Sequence, residues 1–308
     1  MTGPEKILER VVLAISAFRS DAAVIRLLRL AFADGAPRFG AVVVVDSLGS
    51  GAIASAIAEH GWPVEYHDAE TNLGSAGNLD RRLRTAAATG LDWCLALNHD
   101  ASLDPARVAR LVNCGEQADR VGAVYPRLRF ISAGGRLDRP RTGFGTLGRL
   151  ADPDLPDPTP VEVAWSSSNG ALYRLDAVRD GLKLWPELWM GYEDLAIGWE
   201  LRRAGWRQYL CREVVVDDNY EFRAVRLAGR TIHLADKPVW YSYYQLRNLA
   251  LIARGSAGRA VSWPAVARRA VIDSGLLLLR RDRMARARLL WSGLADGVRG
   301  RSGQGPVP

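Results

Sequence analysis

Residues 91–108, LDWCLALNHDASLDPARV, decide how this chain folds. Residues 91–97 are a short, mostly apolar run, the pattern of a strand buried on both faces of a sheet. The run ends on Asn98-His99-Asp100, and Asp104-Pro105 then reads as a helix N-cap followed by proline at the first helical position. Polar groups thus stand just past the carboxyl end of a buried strand and before a helix, where open α/β sheets bind ligands. A carboxylate there suits a divalent cation, and the cation suits a diphosphate. Asn98 and Asp100 could equally do no more than cap the turn.

The same alternation runs upstream. Residues 11–15 (VVLAI) and 41–45 (AVVVV) read as buried strands, and 64–66 as a shorter third. Between them, residues 21–32 place Val24, Leu27, Leu28 and Ala31 on one helical face, and residues 52–59 form a second helix. A loop with two glycines, residues 72–78, opens a third helix that runs to Thr89. This βαβα order over residues 1–115 predicts a doubly wound, mostly parallel sheet with right-handed crossovers. Three strand ends carry chemistry: Ser16, Asp46 and residues 98–100. Asp46 is placed to accept hydrogen bonds from a ribose or a base, or to cap its own strand. No GxGxxG follows the first strand and no GxxxxGK[ST] occurs, so neither a Rossmann dinucleotide site nor a P-loop is supported.

Downstream, residues 121–125 read as a strand and residues 126–160, rich in Gly, Arg, Pro and Asp, as a long loop of the kind that forms lids or inserts. Strands at 161–165 and 171–174 flank the small polar turn Ser166-Ser167-Ser168-Asn169-Gly170. In residues 185–206, WPELWMGYEDLAIGWELRRAGW, Glu193-Asp194 opens a helix that ends near Ala204, with Gly205 as its stop. Acidic residues in a first turn suit the helix dipole. Beside Trp189 and Tyr192 they also suit a general base next to an aromatic platform for a sugar ring. Residues 214–216 form a last short strand ending in Asp217-Asp218, and His233 sits in a short apolar run. A helix containing Tyr243-Tyr244 and Arg247-Asn248 follows, then helical patterns at 260–281 and 284–298, and a frayed tail at 302–308. Residues 276–281 read either as part of a packed helix or as an interfacial helix on an anionic membrane.

The 308 residues are enough for one large α/β domain with an added subdomain. The amino terminus shows no apolar core of a secretory signal before Val11, and no apolar run reaches the ~20 residues of a membrane span. Cys94, Cys114 and Cys211 have no metal-ligand spacing, which points to reduced thiols in a cytoplasmic protein. The net charge of +7 suits an anionic membrane surface or a phosphorylated substrate. Its arginines are spread along the chain without a recognition motif, which argues against nucleic acid.

Taken in order, these pieces resemble the family 2 glycosyltransferases, the inverting GT-A enzymes, over residues 11–254. The bacterial rhamnosyl- and galactofuranosyl-transferase-like members are the most similar. The resemblance rests on Val43–Asp46, on Asn72-Leu73-Gly74 with Gly77, on LNHD at 97–100 where the family carries its DxD-type metal motif, on the "ED…R…GW" block from Tyr192 to Trp206, and on Tyr243-Tyr244…Arg247-Asn248, similar to a YYxxRN segment. It implies a GT-A-type sheet flanked by helices, with a catalytic domain at 1–230 and a C-terminal helical region at 231–308. The catalytic domain would divide into a nucleotide-binding half at 1–115 and an acceptor half at 116–230. It also implies transfer of a sugar from a dTDP- or UDP-sugar to a lipid-linked glycan or small-molecule acceptor. Asp194 would be the general base. Ser16, Asp46, Asn72, Gly74, Gly77, Asn98, Ser168, Asn169 and Gly170 would hold the donor, and Trp189, Tyr192 and Glu193 the acceptor. Asp100 and His233 would hold Mg²⁺ or Mn²⁺, with Asp218 as the alternative to His233. The expected place is the cytoplasm, peripheral at the inner face of the membrane, and a homo-oligomer is permitted. Asn98 departs from the aspartate expected at the head of the metal motif, which leaves a non-catalytic sugar-nucleotide-binding or scaffold protein as the competing reading.

Overall fold

The computed structural model describes residues 4–138, 159–227 and 229–306. After a short α1 (Pro4–Leu8), strands β1 (Val11–Ala17), β2 (Ala41–Asp46), β3 (Val64–Asp68) and β4 (Trp93–Asn98) alternate with α2 (Asp21–Ala31), α3 (Ala52–His60) and α4 (Gly74–Ala88). The strands lie side by side in the order β3-β2-β1-β4, all parallel. The apolar runs are buried on both faces because helices cover both. Val11, Leu13 and Ile15 join one core with the buried face of α2, while Val12 and Ala14 join the other with Leu79 and Leu83 of α4.

The second half extends the sheet. α5 (Pro105–Gly115) starts as expected, with the Asp104 carboxylate accepting from the amides of Ala106 and Arg107. Then come β5 (Val121–Phe130), β6 (Arg136–Leu137), β7 (Val161–Glu162), β8 (Ala171–Arg174), α6 (Leu175–Arg179), α7 (Glu193–Arg203) and β9 (Arg207–Asp218). The order continues β4-β8-β5-β9-β7, with β6 on β5, giving nine strands among the described residues. β5 and β9 run parallel to each other, while β8 is antiparallel to both β4 and β5. Because β8 runs backwards from Ala171 opposite Ala96, the turn at residues 166–170 is delivered to the carboxyl end of β4.

Several local expectations are corrected. Residues 126–130 continue β5 instead of opening a loop, and β9 spans 12 residues where a short strand at 214–216 was expected. Only Val161–Glu162 of the run at 161–165 is strand. The apolar run around His233 is one arm of a hairpin, β10 (Phe222–Leu227) and β11 (Arg230–Ala235), with His233 opposite Ala224. Most of the expected long loop, residues 139–158, lies outside the described residues.

Three helices complete the chain: α8 (Tyr241–Gly255), α9 (Trp263–Leu277) and α10 (Arg283–Arg299). α10 lies against α8 through glycines. An added Cβ on Gly293 would stand 2.0 Å from the Tyr243 carbonyl oxygen, and one on Gly297 2.5 Å from that of Arg247. The tail is not frayed through residue 305. The Gly303 amide donates to the Glu187 carbonyl at 2.7 Å, and the Gly305 amide to the Tyr244 hydroxyl at 2.8 Å.

Candidate active site

β1 and β4 are parallel neighbours, so their carboxyl ends and the loops that follow them share one crevice at the edge of the sheet. Ser16 and Asn98 stand opposite each other there, with the Ser16 hydroxyl 3.3 Å from Asn98 Oδ1. The crevice is a cleft of about 490 Å³. It brings together six residues singled out in the sequence: Ser16, Asn72, Gly74, Asn98, Asp100 and Trp189. Phe18, Arg19, Trp240 and Gln304 also line it.

One wall is a strained segment. Trp185, Trp189 and Tyr192 all have positive φ, +56°, +59° and +65°. Such backbone costs about 1–3 kcal/mol per residue and persists only where surrounding contacts impose it. At Trp189, with ψ −53°, the chain makes a γ-turn closed by the Met190 amide on the Leu188 carbonyl at 2.7 Å. Two buried side chains of α8 hold it. Asn248 Nδ2 donates to the carbonyls of Leu188, Met190 and Gly191 at 3.0, 2.8 and 2.7 Å, and Arg247 Nη2 donates to Leu188 at 2.7 Å. The Trp189 carbonyl then accepts the Ala76 amide at 3.1 Å, while its indole donates to the Asn72 carbonyl at 3.1 Å. Gly74 is required by this contact, since a Cβ there would lie 2.1 Å from the Trp189 carbonyl oxygen. Trp189, expected on the acceptor side, is therefore built into the same cleft as Ser16 and Asp100.

A second cavity, about 380 Å³, holds Asp194 at the start of α7 with Tyr192, Asp138, Asp218, Tyr241 and Arg269. The turn at 166–170 joins the two spaces. The Ser168 amide donates to Asp194 Oδ1 at 3.0 Å, and Asn169 Oδ1 accepts the Asn98 amide at 3.3 Å. Gly170 turns the chain at φ +73°, its amide on the Ala96 carbonyl at 2.8 Å. Burial, then the charge of Glu193, pushes the Asp194 carboxyl up to about 8, against the pull of its bonds to Ser168. Glu193 is itself buried and lies in neither space. Burial raises its carboxyl, although Ser75 bonds to it, and its Oε2 has no partner.

Asp218, at the end of β9, is raised by burial and then by the charge of Asp100, which places these two carboxylates in one field. Lys237, just past β11, lies in that field too. Asp218, Glu193 and Asp100 all act on it, and its ammonium stands 3.9 Å from the centre of the Tyr220 ring. No group of three His, Cys, Asp or Glu able to hold a metal occurs among the described residues. Two carboxylates do suit a hard cation that completes its shell with diphosphate oxygens and water.

Besides Glu193, three residues singled out in the sequence lie elsewhere. His233 faces a separate cavity of about 230 Å³ under the hairpin, edge-on to Phe222, and Asp100 does not line that space. Asp46 is buried below the cleft. Its carboxylate accepts from the Tyr66 hydroxyl at 3.0 Å and lies so close to Gly49 that a Cβ there would clash. Gly77 packs inside α4 against Leu73. Sequence reasoning missed Lys237, Arg269 and Gln304, which carry no local signal because each is brought in from an element distant in the chain.

No family model matches this chain, and no curated protein does. Solved structures match it in fold. GalNAc-T7 with UDP, GalNAc and Mn²⁺ has a TM-score of 0.53 at 14% identity over 79% of this chain, which spans only 47% of that one. The mannosyltransferase PcManGT from Pyrobaculum calidifontis, in complex with GDP-Man and Mn²⁺, has a TM-score of 0.52 at 15% identity and covers 94% of this chain and 86% of its own. S. aureus TarS 1-349 has a TM-score of 0.52 at 14% identity and covers 94% and 80%. The chain thus has the mixed, mostly parallel α/β sheet of GT-A glycosyltransferases.

Two outcomes follow from this geometry. Asn248→Ala leaves buried carbonyls without a donor and lowers stability by about 2–3 kcal/mol, measurable by urea unfolding. An unchanged midpoint would remove the clamp from the account. Asp194 holds its proton in the folded state from its ordinary 3.8 up to about 8, whereas the unfolded chain has lost it. The native state therefore binds the extra proton across that window, and stability falls as pH rises through it. Asp194→Asn removes this loss, so its Tm gains on wild type between pH 4 and 8 and the gap levels off above.

Proposed function

We propose that the protein is an inverting glycosyltransferase of the family 2 kind, moving a sugar from a nucleoside diphosphate sugar to an acceptor hydroxyl. The observation that carries this reading is Asp194. A carboxylate raised to about 8 and aimed by a backbone amide stands in one cavity, across a five-residue turn from a cleft ending in Asp100. A general base works best with a pKa near the operating pH. A scaffold protein has no use for such a group.

The residues divide as follows. The donor lies in the cleft at the ends of β1 and β4, with its diphosphate toward residues 98–100. The acceptor enters the cavity of Tyr192 and Asp194. Asp194 takes the hydroxyl proton as the oxygen bonds the anomeric carbon, and the bond from that carbon to the phosphate oxygen breaks on the far side, which inverts the configuration. Asp100 and Asp218 would hold Mg²⁺ or Mn²⁺, which supplies positive charge to the leaving diphosphate. Lys237 adds a fixed cation in the same field. The likeness in fold to structures that contain Mn²⁺ with UDP or GDP-Man supports the donor class.

Calorimetric titration with UDP, dTDP and GDP, with and without Mn²⁺, tests the reading. One nucleotide binds in a metal-dependent way to wild type and to Asp194→Asn, and Asp100→Ala loses that dependence. Asp194→Asn lowers transfer at least 10²-fold. The acid limb of kcat/KM in wild type falls below about pH 8, because the base must be unprotonated. Folded protein that binds no nucleotide would move the assignment to a scaffold.

We further propose that α9 and α10 rest on an anionic membrane surface, where a lipid-linked acceptor would be presented. No described helix is long and apolar enough to cross a membrane. Trp263, Val271, Ile272, Leu278, Met284 and Trp291 are nevertheless exposed, together with Arg281, Arg283 and Arg288. Apolar and cationic groups along these two helices and the segment between them suit an interface rich in acidic lipid. The protein sediments with phosphatidylglycerol vesicles at low salt, and Met284→Glu with Trp291→Glu abolishes this. Equal sedimentation of the variant would refute the assignment.

A further inference from the structure

The turn after α10 does more than end the helix. Its backbone is tied on both sides of Gln304. The Gly303 carbonyl accepts Arg247 Nη1 at 2.6 Å, and the Gly303 amide donates to the Glu187 carbonyl at 2.7 Å. On the other side the Gly305 amide donates to the Tyr244 hydroxyl at 2.8 Å. Gly305 packs against the Tyr243 ring, where a Cβ would come within 2.2 Å of a ring carbon. These anchors belong to the clamp that holds the Trp189 turn, so the tail and that turn are parts of one assembly. Between the anchors, Gln304 is exposed and lines the cleft with Trp189, Met190 and Trp240.

We propose that residues 303–305 form a wall of the donor cleft and that Gln304 contacts the bound nucleoside diphosphate sugar through its side-chain amide. The inference rests on the reading of that cleft as the donor site and adds a residue to it. A glutamine amide both donates and accepts, so it can satisfy a hydroxyl or a base edge where the neighbouring Trp189 and Trp240 offer only apolar rings and N–H donors. Fixing the backbone at 303 and 305 before the ligand arrives means that binding orders only one side chain. Exposure of Gln304 in the free protein fits the same role, because its side chain stands open to a ligand in the cleft. Arg247 is thereby given a second task. Besides holding the turn at Leu188 it holds the tail at Gly303, so the two sides of this wall move or stay together.

The test compares wild type with Gln304→Ala, Gly305→Val and the control Ser302→Ala, an exposed neighbour that does not line the cleft. Binding of the nucleotide that wild type prefers, and of its sugar conjugate, is measured by calorimetry with Mn²⁺. Thermal melts are run alongside. Gln304→Ala melts like wild type and binds the donor roughly 5- to 10-fold more weakly, the loss of one hydrogen bond. Gly305→Val, which lifts the tail off Tyr243, weakens binding at least as much, and Ser302→Ala leaves it unchanged. A loss with the sugar conjugate alone places the contact on the sugar, and a loss with both places it on the nucleotide. If Gln304→Ala and Gly305→Val bind both ligands as wild type does, the wall is not part of the site and the inference falls, while the donor reading stands. If wild type binds no nucleotide, both fall together.

Discussion

The structure turns on a guanidinium and an amide buried inside a helix pair. Arg247 and Asn248 sit on α8 with almost no exposure, and their donors reach five backbone carbonyls or side-chain oxygens outside their own peptide units. A buried donor must be paired, so these two residues dictate where the chain at 188–191 runs. The strain at Trp185, Trp189 and Tyr192 is the consequence. Three bulky residues with positive φ in eight positions would relax if released, and Asn248 holds the segment by taking up the carbonyls of Leu188, Met190 and Gly191 between them. Stacking of Trp189 on Tyr244, 5.0 Å apart and 25° from parallel, adds to the hold.

From that clamp the geometry propagates outward. Trp189 fixes α4 through Ala76 and Gly74, and α4 places Asn72 and Ser75 at the cleft. The following residues, Tyr192 to Asp194, enter α7 at a set angle, which aims Asp194 at the amide of Ser168. The same polar turn touches Asn98 through Asn169. One short loop thus couples the end of β4 to the start of α7, and it is there because β8 runs antiparallel between two parallel halves of the sheet. Carboxylates gather around this junction: Asp100, Asp218, Glu193 and Asp194. Burial first, and then the charge of Glu193 on Asp194 and of Asp100 on Asp218, raises these two carboxyls, and Lys237 offsets the shift of Asp218 in part. A region so negative is suited to a divalent cation, and with the cation bound, to a diphosphate.

Much of this was legible in residue order. The strands of the first half, the proline start of α5 and the apolar face of α2 follow from periodicity and capping, which are local. The pairing of Ser16 with Asn98 across strand ends follows from the parallel sheet those patterns imply. The later strands were less legible. β9 carries Arg212 and Glu213 inside its run, and the β10–β11 hairpin is short and charged, so neither displays a clean alternation. Trp189 looked like an acceptor platform because it precedes Asp194 by five positions. The γ-turn between them reverses the chain and sends the indole to the other space. His233 lies in β11 and Lys237 two residues past its end, yet the hairpin sets the first beside Phe222 and the chain beyond it carries the second to the carboxylates.

The sequence by itself determined the doubly wound sheet and the acidic strand and helix ends, because burial, capping and glycine requirements act over a few residues. Only the tertiary structure decided which of those ends share a space. The antiparallel β8, the strained turn at Trp189 and the return of the tail to Tyr243 and Arg247 bring into one cleft residues as far apart in the chain as Ser16 and Gln304. The physical reason is that buried hydrogen-bond donors on α8 must find acceptors, and in this chain the acceptors they find lie in segments that no local pattern links to them.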